Sequence, residues 1–162
     1  MKHIEISKRI FHFKQPAGTS RGIYTTRQSY FLTLTDDGMP GIKGVGECAP
    51  LPKLSCDDLP DYETILHQIC KLVESTDKIP YALLRPYPSI LFGLETAFAQ
   101  FNAHGSTMLF DTPFGRGEEG IRINGLVWMG SFDEMAERLE VKLRQGFHCV
   151  KLKIGAIDFE KE

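Results

Sequence analysis

The sequence has no apolar run approaching the roughly 20 residues that cross a bilayer. Its first residues, Met1-Lys2-His3-Ile4-Glu5, alternate in polarity instead of forming the apolar block of a signal peptide. Neither a membrane partner nor export is expected, and a cytoplasmic location follows as the default. Cysteine is sparse: Cys48, Cys56, Cys70 and Cys149 are scattered without a Cys-x-x-Cys pair. That spacing argues against a zinc site and a disulfide framework and leaves reduced, mostly packed thiols. The five histidines, His3, His12, His67, His104 and His148, show no metal-ligand spacing. An excess of either charge is missing too, since 19 Lys and Arg against 21 Asp and Glu leave a net charge of -2, so nothing points to nucleic acid. What is present is ordinary: 162 residues, 42% hydrophobic and 25% charged, enough apolar material for a core.

The first half alternates as strands do. Ile4 and Ile6, then Ile10, Phe11 and Phe13, lead to Gln15-Pro16-Ala17-Gly18-Thr19-Ser20-Arg21-Gly22, which reads as a glycine-bearing loop. Ser29 to Thr35 and Ile42 to Glu47 flank Asp36-Asp37-Gly38-Met39-Pro40, whose Asp-Gly step tolerates the positive φ of a reversal, so a hairpin is expected. Leu59, Tyr62, Leu66, Ile69 and Val73 recur at helical spacing, with Asp57 or Asp58 available as cap and Pro60 in the first turn. A second helix, Ile90 to Ala103, has Ser89 as its expected cap and Gly105 beyond its end, and is apolar nearly all round. Strands followed by helices make an α+β domain, residues 1–111. Gly44-Val45-Gly46-Glu47-Cys48-Ala49 fits the dinucleotide fingerprint as letters, but Pro50 and Pro52 follow where a helix would have to begin. No nucleotide cofactor is implied.

Asp111 to Gly120 combines glycine, proline and charge and is the expected domain boundary. From residue 121 the pattern changes: Ile121 to Trp128 reads as a strand, Ser131 to Gln145 as a helix, Gly146 as its stop and Val150 to Ile154 as a second strand. Ser131 and Glu134 match a capping box, while Phe132, Met135, Ala136, Leu139 and Leu143 form one apolar stripe expected to lie against the strands. This is a βαβ unit, and parallel strands so joined are normally covered on both faces. Lys151 and Lys153 therefore stand out. They project from one face while Val150, Leu152 and Ile154 project from the other, and two ammonium groups there need a polar cavity such as the mouth of a barrel. In isolation two such lysines would be a solvated strand face. Asp158 to Glu162 resembles the opening of another helix, so the chain looks cut within an element.

Three segments carry a resemblance over essentially the whole chain: Gly46-Glu47-Cys48-Ala49-Pro50-Leu51-Pro52, Pro88-Ser89-Ile90-Leu91-Phe92-Gly93-Leu94-Glu95-Thr96-Ala97 and Val150-Lys151-Leu152-Lys153-Ile154-Gly155. In this order they resemble the enolase superfamily, most nearly its o-succinylbenzoate synthase family of menaquinone biosynthesis. The resemblance implies an α+β capping domain (three-stranded antiparallel sheet plus helices), residues 1–111, followed by the first βαβ unit of a (β/α) TIM-like barrel, residues 121–162. It implies a Mg²⁺-dependent lyase that removes the proton next to a carboxylate of a small-molecule substrate and expels hydroxide through an enediolate. Lys153 matches the family's base. A free lysine, with a pKa of about 10.4, is a poor base at neutral pH, and Lys151 supplies the neighbouring like charge that remedies this. The family's lid loops fall on Gly18, Thr19 and Arg21, where a surface hairpin fits equally well, and on Leu51 and Pro52, which become apolar contacts to the substrate. No metal ligand is found in the chain: the acidic Mg²⁺ ligands and a partner lysine are expected beyond Glu162. A racemase of N-acylamino acids or another muconate-lactonizing-like activity shares the same lysine. A catalytically inactive piece, acting only as a folding or interaction module, is the alternative from another class. Two strands without the rest of a barrel leave unpaired backbone groups along Val150 to Ile154, so self-association through that edge is expected.

Overall fold

The computed structural model describes residues 1–19, 22–155, 158 and 160. They form two compact units, Met1–Phe11 with Thr26–Arg116, and His12–Thr25 with Gly117–Glu162.

The first unit holds two helices against a three-stranded antiparallel sheet, of which the far ends of the first two strands, within His12–Thr25, count with the second unit. Strands β1 (Lys2–Thr19), β2 (Gly22–Asp36) and β3 (Gly44–Cys48) lie in the order β1-β2-β3. Pairing of Tyr30 with Cys48, Leu32 with Gly46 and Leu34 with Gly44 sets the antiparallel register of β2 on β3. With side chains alternating across the sheet, Tyr30, Leu32, Leu34 and Cys48 share the buried face. Helix α1 (Tyr62–Thr76) adds Leu66, Ile69, Cys70 and Val73 to one core with Ile90 and Leu94 of helix α2 (Pro88–Asn102). Leu34, Ala97 and Phe101 form a smaller cluster. Strand β3 lies so close to α2 that a Cβ on Gly44 would overlap the Ala97 carbonyl and one on Gly46 the Gly93 carbonyl. The glycines that imitate a nucleotide fingerprint thus serve helix packing.

Several local expectations are corrected. Within the segment expected to be a loop, Gln15 to Thr19 are strand: β1 runs on to Thr19, and β2 begins at Gly22 beside it in the sheet. Ser20 and Arg21 lie outside the described residues. In the β2–β3 connection, the positive φ falls at Gly41 (86°), while the Gly38 N–H donates to Asp36 Oδ1 at 2.8 Å. Helix α1 starts after Asp61, with no side-chain cap, and Leu59 lies outside it and exposed. Helix α2 starts after Tyr87 with Pro88 in its first turn, so Ser89 is inside the helix and cannot be its cap. Asp57, distant in sequence, takes over that task. The helix is also less fully enclosed than its composition implies, since Phe92 is exposed.

In the second unit, strand β4 (Gly125–Val127), helix α3 (Phe132–Arg144) and strand β5 (Val150–Leu152) make the expected βαβ unit, with β4 and β5 parallel and Val127 opposite Leu152. The Ser131–Glu134 capping box is present, and Gly146 at φ 83° follows the helix. The strand expected from Ile121 is confined to three residues, because the β5 ladder offers partners only from Gly125 onward; Ile123 is 73% exposed. The α3 stripe is only half used. Met135 and Leu139 are half-buried while Phe132 and Leu143 are exposed. The reason is length: 13 helical residues span about 20 Å and three strand residues about 10 Å, so two short strands cannot cover the helix. The helix expected from Asp158 rests on residues largely outside those described.

Candidate active site

The parallel register carries two side chains of β4 and its extension alongside two of β5. Leu126 is opposite Lys151, and one step later on the same face Trp128 adjoins Lys153. The Lys153 N–H donates to the Val127 carbonyl at 3.0 Å, extending the ladder past the end of β5. The Lys153 side chain is half-buried, with Nζ 3.7 Å from the centroid of the Trp128 ring. Lys151 is exposed, and so are Leu152 and Ile154 on the opposite face. Among the described residues β4 is the one strand that pairs with β5, at one of its edges. Trp128 was not singled out in the sequence, although a ring placed one residue after a strand, in register with the second lysine, is the signal that would have found it.

The hairpin end enters the same unit. A Cβ on Gly18 would stand 3.9 Å from Cβ of Met129, the residue after Trp128. Thr19 closes β1. Arg21 lies outside the described residues. The unit therefore brings Gly18, Met129, Trp128 and Lys153 to the C-terminal ends of its two parallel strands, where α/β folds place their ligands.

Leu51 and Pro52 belong to the first unit. They sit in a turn tied at several points. The Leu51 N–H donates to Ser55 Oγ at 2.8 Å, the Lys53 N–H to Asp58 Oδ2 at 2.6 Å, and Arg27 Nη2 to the Ala49 carbonyl at 3.2 Å. Lys53 holds φ at 61°, a left-handed conformation that these bonds maintain. Pro52 borders an open recess of about 260 Å³ whose polar side is formed by Lys8, Gln28, Tyr30 and Glu63. Glu63 Oε2 accepts from Lys8 Nζ at 2.9 Å and from the Tyr30 hydroxyl at 3.0 Å. These bonds hold the Glu63 carboxyl below its usual range, and the bond to Glu63 raises Lys8. Burial pushes the Tyr30 phenol up.

Among the described residues, no three His, Cys, Asp or Glu side chains converge in a way that could hold a metal ion. The described residues thus do not by themselves make a Mg²⁺ site. The thiols divide evenly: Cys48 and Cys70 are buried, Cys56 and Cys149 exposed, so the expectation of mostly packed cysteines holds for half of them.

Comparison with known proteins gives a consistent picture. The chain is 34% identical over 93% of its length to o-succinylbenzoate synthase of Desulfotalea psychrophila, covering 48% of that protein. It is similar to the crystal structure of MenC from the same organism, with a TM-score of 0.59, 27% identity, and coverage of 94% of this chain and 49% of that one. The structure of o-succinylbenzoate synthase from Thermosynechococcus elongatus BP-1, complexed with Mg in its active site, shares the fold at a TM-score of 0.64 with 21% identity, covering 98% of this chain and 45% of that one. The chain spans about half the length of the curated relative it matches. Residues 14–101, just over half of the chain, match the family described as MenC, N-terminal domain. Together with the sheet, the two helices and the β-α-β unit described above, that match shows that the chain belongs to the MenC family.

Proposed function

We propose that this chain is the N-terminal part of a Mg²⁺-dependent carbon–oxygen lyase that dehydrates 2-succinyl-6-hydroxy-2,4-cyclohexadiene-1-carboxylate to 2-succinylbenzoate, a cytoplasmic step of menaquinone formation. The observation that carries the proposal is the half-buried amine of Lys153 at the C-terminal end of β5, in the unit that also receives the hairpin end at Gly18. In the proposed reaction, the neutral Lys153 amine takes the proton on the carbon next to the substrate carboxylate. The C–H bond breaks, an N–H bond forms, and the electron pair is left on an enediolate. The new ammonium then returns that proton to the departing hydroxide, which leaves as water while the ring becomes aromatic. Lys151, projecting from the same strand face, adds positive potential beside the developing anion. Gly18, Thr19 and Arg21 are proposed as the lid over the substrate, and Leu51 and Pro52 as its apolar wall. Bound Mg²⁺ would stabilise the enediolate's charge, and the carboxylates that hold it are proposed to lie outside this sequence.

On this proposal the 162-residue chain alone has no turnover. A chimera with this chain in place of the matching half of the D. psychrophila synthase has it. The test is an assay of both with Mg²⁺ and substrate. Turnover by the chimera that Lys153→Ala abolishes supports the proposal; a folded but inactive chimera, or a Lys153→Ala chimera that still turns over, overturns it. Turnover by the chain alone refutes the claim that it is inactive. The uncovered edge of β5 is further proposed to mediate self-association, which light scattering reads directly: a monodisperse monomer at high concentration overturns it.

A further inference from the structure

We propose that Trp128 is a positioning residue for Lys153, holding its amine over the indole face at the rim of the second unit; this takes Lys153 as the base, as proposed above. The lysine side chain is a flexible four-carbon stem, and a base must present its nitrogen to one carbon of the substrate. Loss of that placement costs rate even when the group itself is intact. Among the described residues, no carboxylate pairs with Lys153 to fix it. Among the described residues its directed partner is the ring, with Nζ 3.7 Å from the centroid, well inside the distance at which an aromatic face attracts a cation.

Both ends of this contact are anchored. The Lys153 backbone is fixed by its hydrogen bond to the Val127 carbonyl. The backbone after the ring is fixed by α3: Arg138 Nη1 donates to the Trp128 and Met129 carbonyls, each at 3.4 Å, and Arg138 also pairs with Glu134 of the capping box. Gly130 leaves room for these side chains: a Cβ there would lie 2.8 Å from Glu134 Oε2 and 3.0 Å from Arg138 Nη1, so both tips would have to shift. The chain's single tryptophan is nonetheless 39% exposed, at the strand ends and not in the apolar core. A ring that large, left partly in water and held by a neighbouring helix, is explained by the Lys153 nitrogen it positions, the contact being strongest with the ammonium that forms when Lys153 takes the substrate proton.

The test uses the 162-residue chain and needs no turnover, so its outcome is independent of whether Lys153 is the base. Because Trp128 is the only tryptophan, its emission reports the contact directly. Lys153→Met changes the intensity, Lys153→Arg retains the wild-type spectrum by keeping a cation over the ring, and Lys151→Met has no effect. In parallel, trace acetylation with acetic anhydride, mapped by mass spectrometry, measures access to each amine. Trp128→Leu raises labelling of Lys153 about threefold relative to Lys151, while Trp128→Phe, which keeps an aromatic face, restores most of the protection. Emission unaltered by Lys153→Met, or equal labelling of Lys153 in all three proteins, overturns the positioning role. Should Trp128→Leu fail to fold, the lysine variants and Trp128→Phe still decide. Loss of the catalytic proposal instead comes from the Lys153→Ala chimera, and leaves these signatures unaltered.

Discussion

Asp57 Oδ2 accepts two hydrogen bonds from Ser89, one from its backbone N–H at 2.8 Å and one from its hydroxyl at 2.6 Å. The carboxylate is 1% exposed, and the Ser89 hydroxyl also meets the Tyr62 hydroxyl at 2.6 Å. A residue 32 positions away thereby supplies the anion that the first turn of α2 lacks, and ties the turn bearing Leu51 and Pro52 to both helices. Asp57→Ala leaves Ser89 without its acceptor and is expected to cost about 3 kcal/mol. Asp57→Asn, which keeps a carbonyl oxygen in place, is expected to cost about 1 kcal/mol. Denaturant midpoints of the two variants check this; equal losses would show that acceptor geometry is not what matters.

Gly46 is the second fixed point of the first unit. Its missing side chain lets β3 approach the α2 backbone at Gly93, and the overlap a Cβ would create is with a carbonyl that cannot swing aside. Gly46→Ala is expected to destabilise by about 3 kcal/mol or more, whereas Val45→Ala, on the exposed face of the same strand, stays within about 0.5 kcal/mol. Circular dichroism melts of the pair measure the contrast.

The Lys8–Glu63–Tyr30 group gives the first unit an acid-sensitive contribution. Glu63 is held below its ordinary pKa by the hydrogen bonds from Lys8 and Tyr30. A depressed carboxylate adds stability that is present above its unfolded value, about 4.3, and is lost as pH falls through the lower folded value. Lys8, raised by the same contact, keeps its contribution below about pH 10.4 and loses it as pH rises through its folded value. Glu63→Gln should therefore be less stable than the parent at pH 7 and approach it as pH falls below about 4. Both side chains are near half exposed, so the gap is small and narrows further in high salt. Urea midpoints from pH 7 to 3 test the sign: a gap that widens with acid contradicts it.

The four thiols should separate into two classes. Burial, the largest cause, pushes the Cys70 thiol up to about 12 and Cys48 up further, and both are enclosed among the helices and the sheet. Cys56 and Cys149 are exposed. Ellman's reagent should titrate two thiols rapidly in the folded protein and the other two only on unfolding. Four thiols reacting at one rate would mean that the core described here is not formed.

Periodicity was legible where a residue's partners lie within one turn of helix or one neighbouring strand. The Tyr62, Leu66, Ile69, Val73 stripe is buried as its spacing requires, the Ser131–Glu134 box forms at the helix it announces, and β2 and β3 pair across the turn their residues mark. The alternation of Val150 to Ile154 likewise put Lys151 and Lys153 on one face. Where partners are remote, local signals misled. Ser89 has the chemistry of a cap, yet the helix starts at Pro88, two residues too early for it, and Asp57 arrives from another segment. Gln15 to Thr19 has the composition of a loop, yet it forms the end of β1, which lies beside β2 in the sheet.

The amino-acid order by itself thus determined the kinds of elements, their sequence and the two lysines on one strand face, because these depend on intervals of two to four residues. Only the tertiary structure decided that Trp128 lies under Lys153, that Gly18 reaches Met129 and that a distant carboxylate completes α2. Such contacts depend on strand register and on how closely backbones approach, and both are set by packing between segments far apart in the chain.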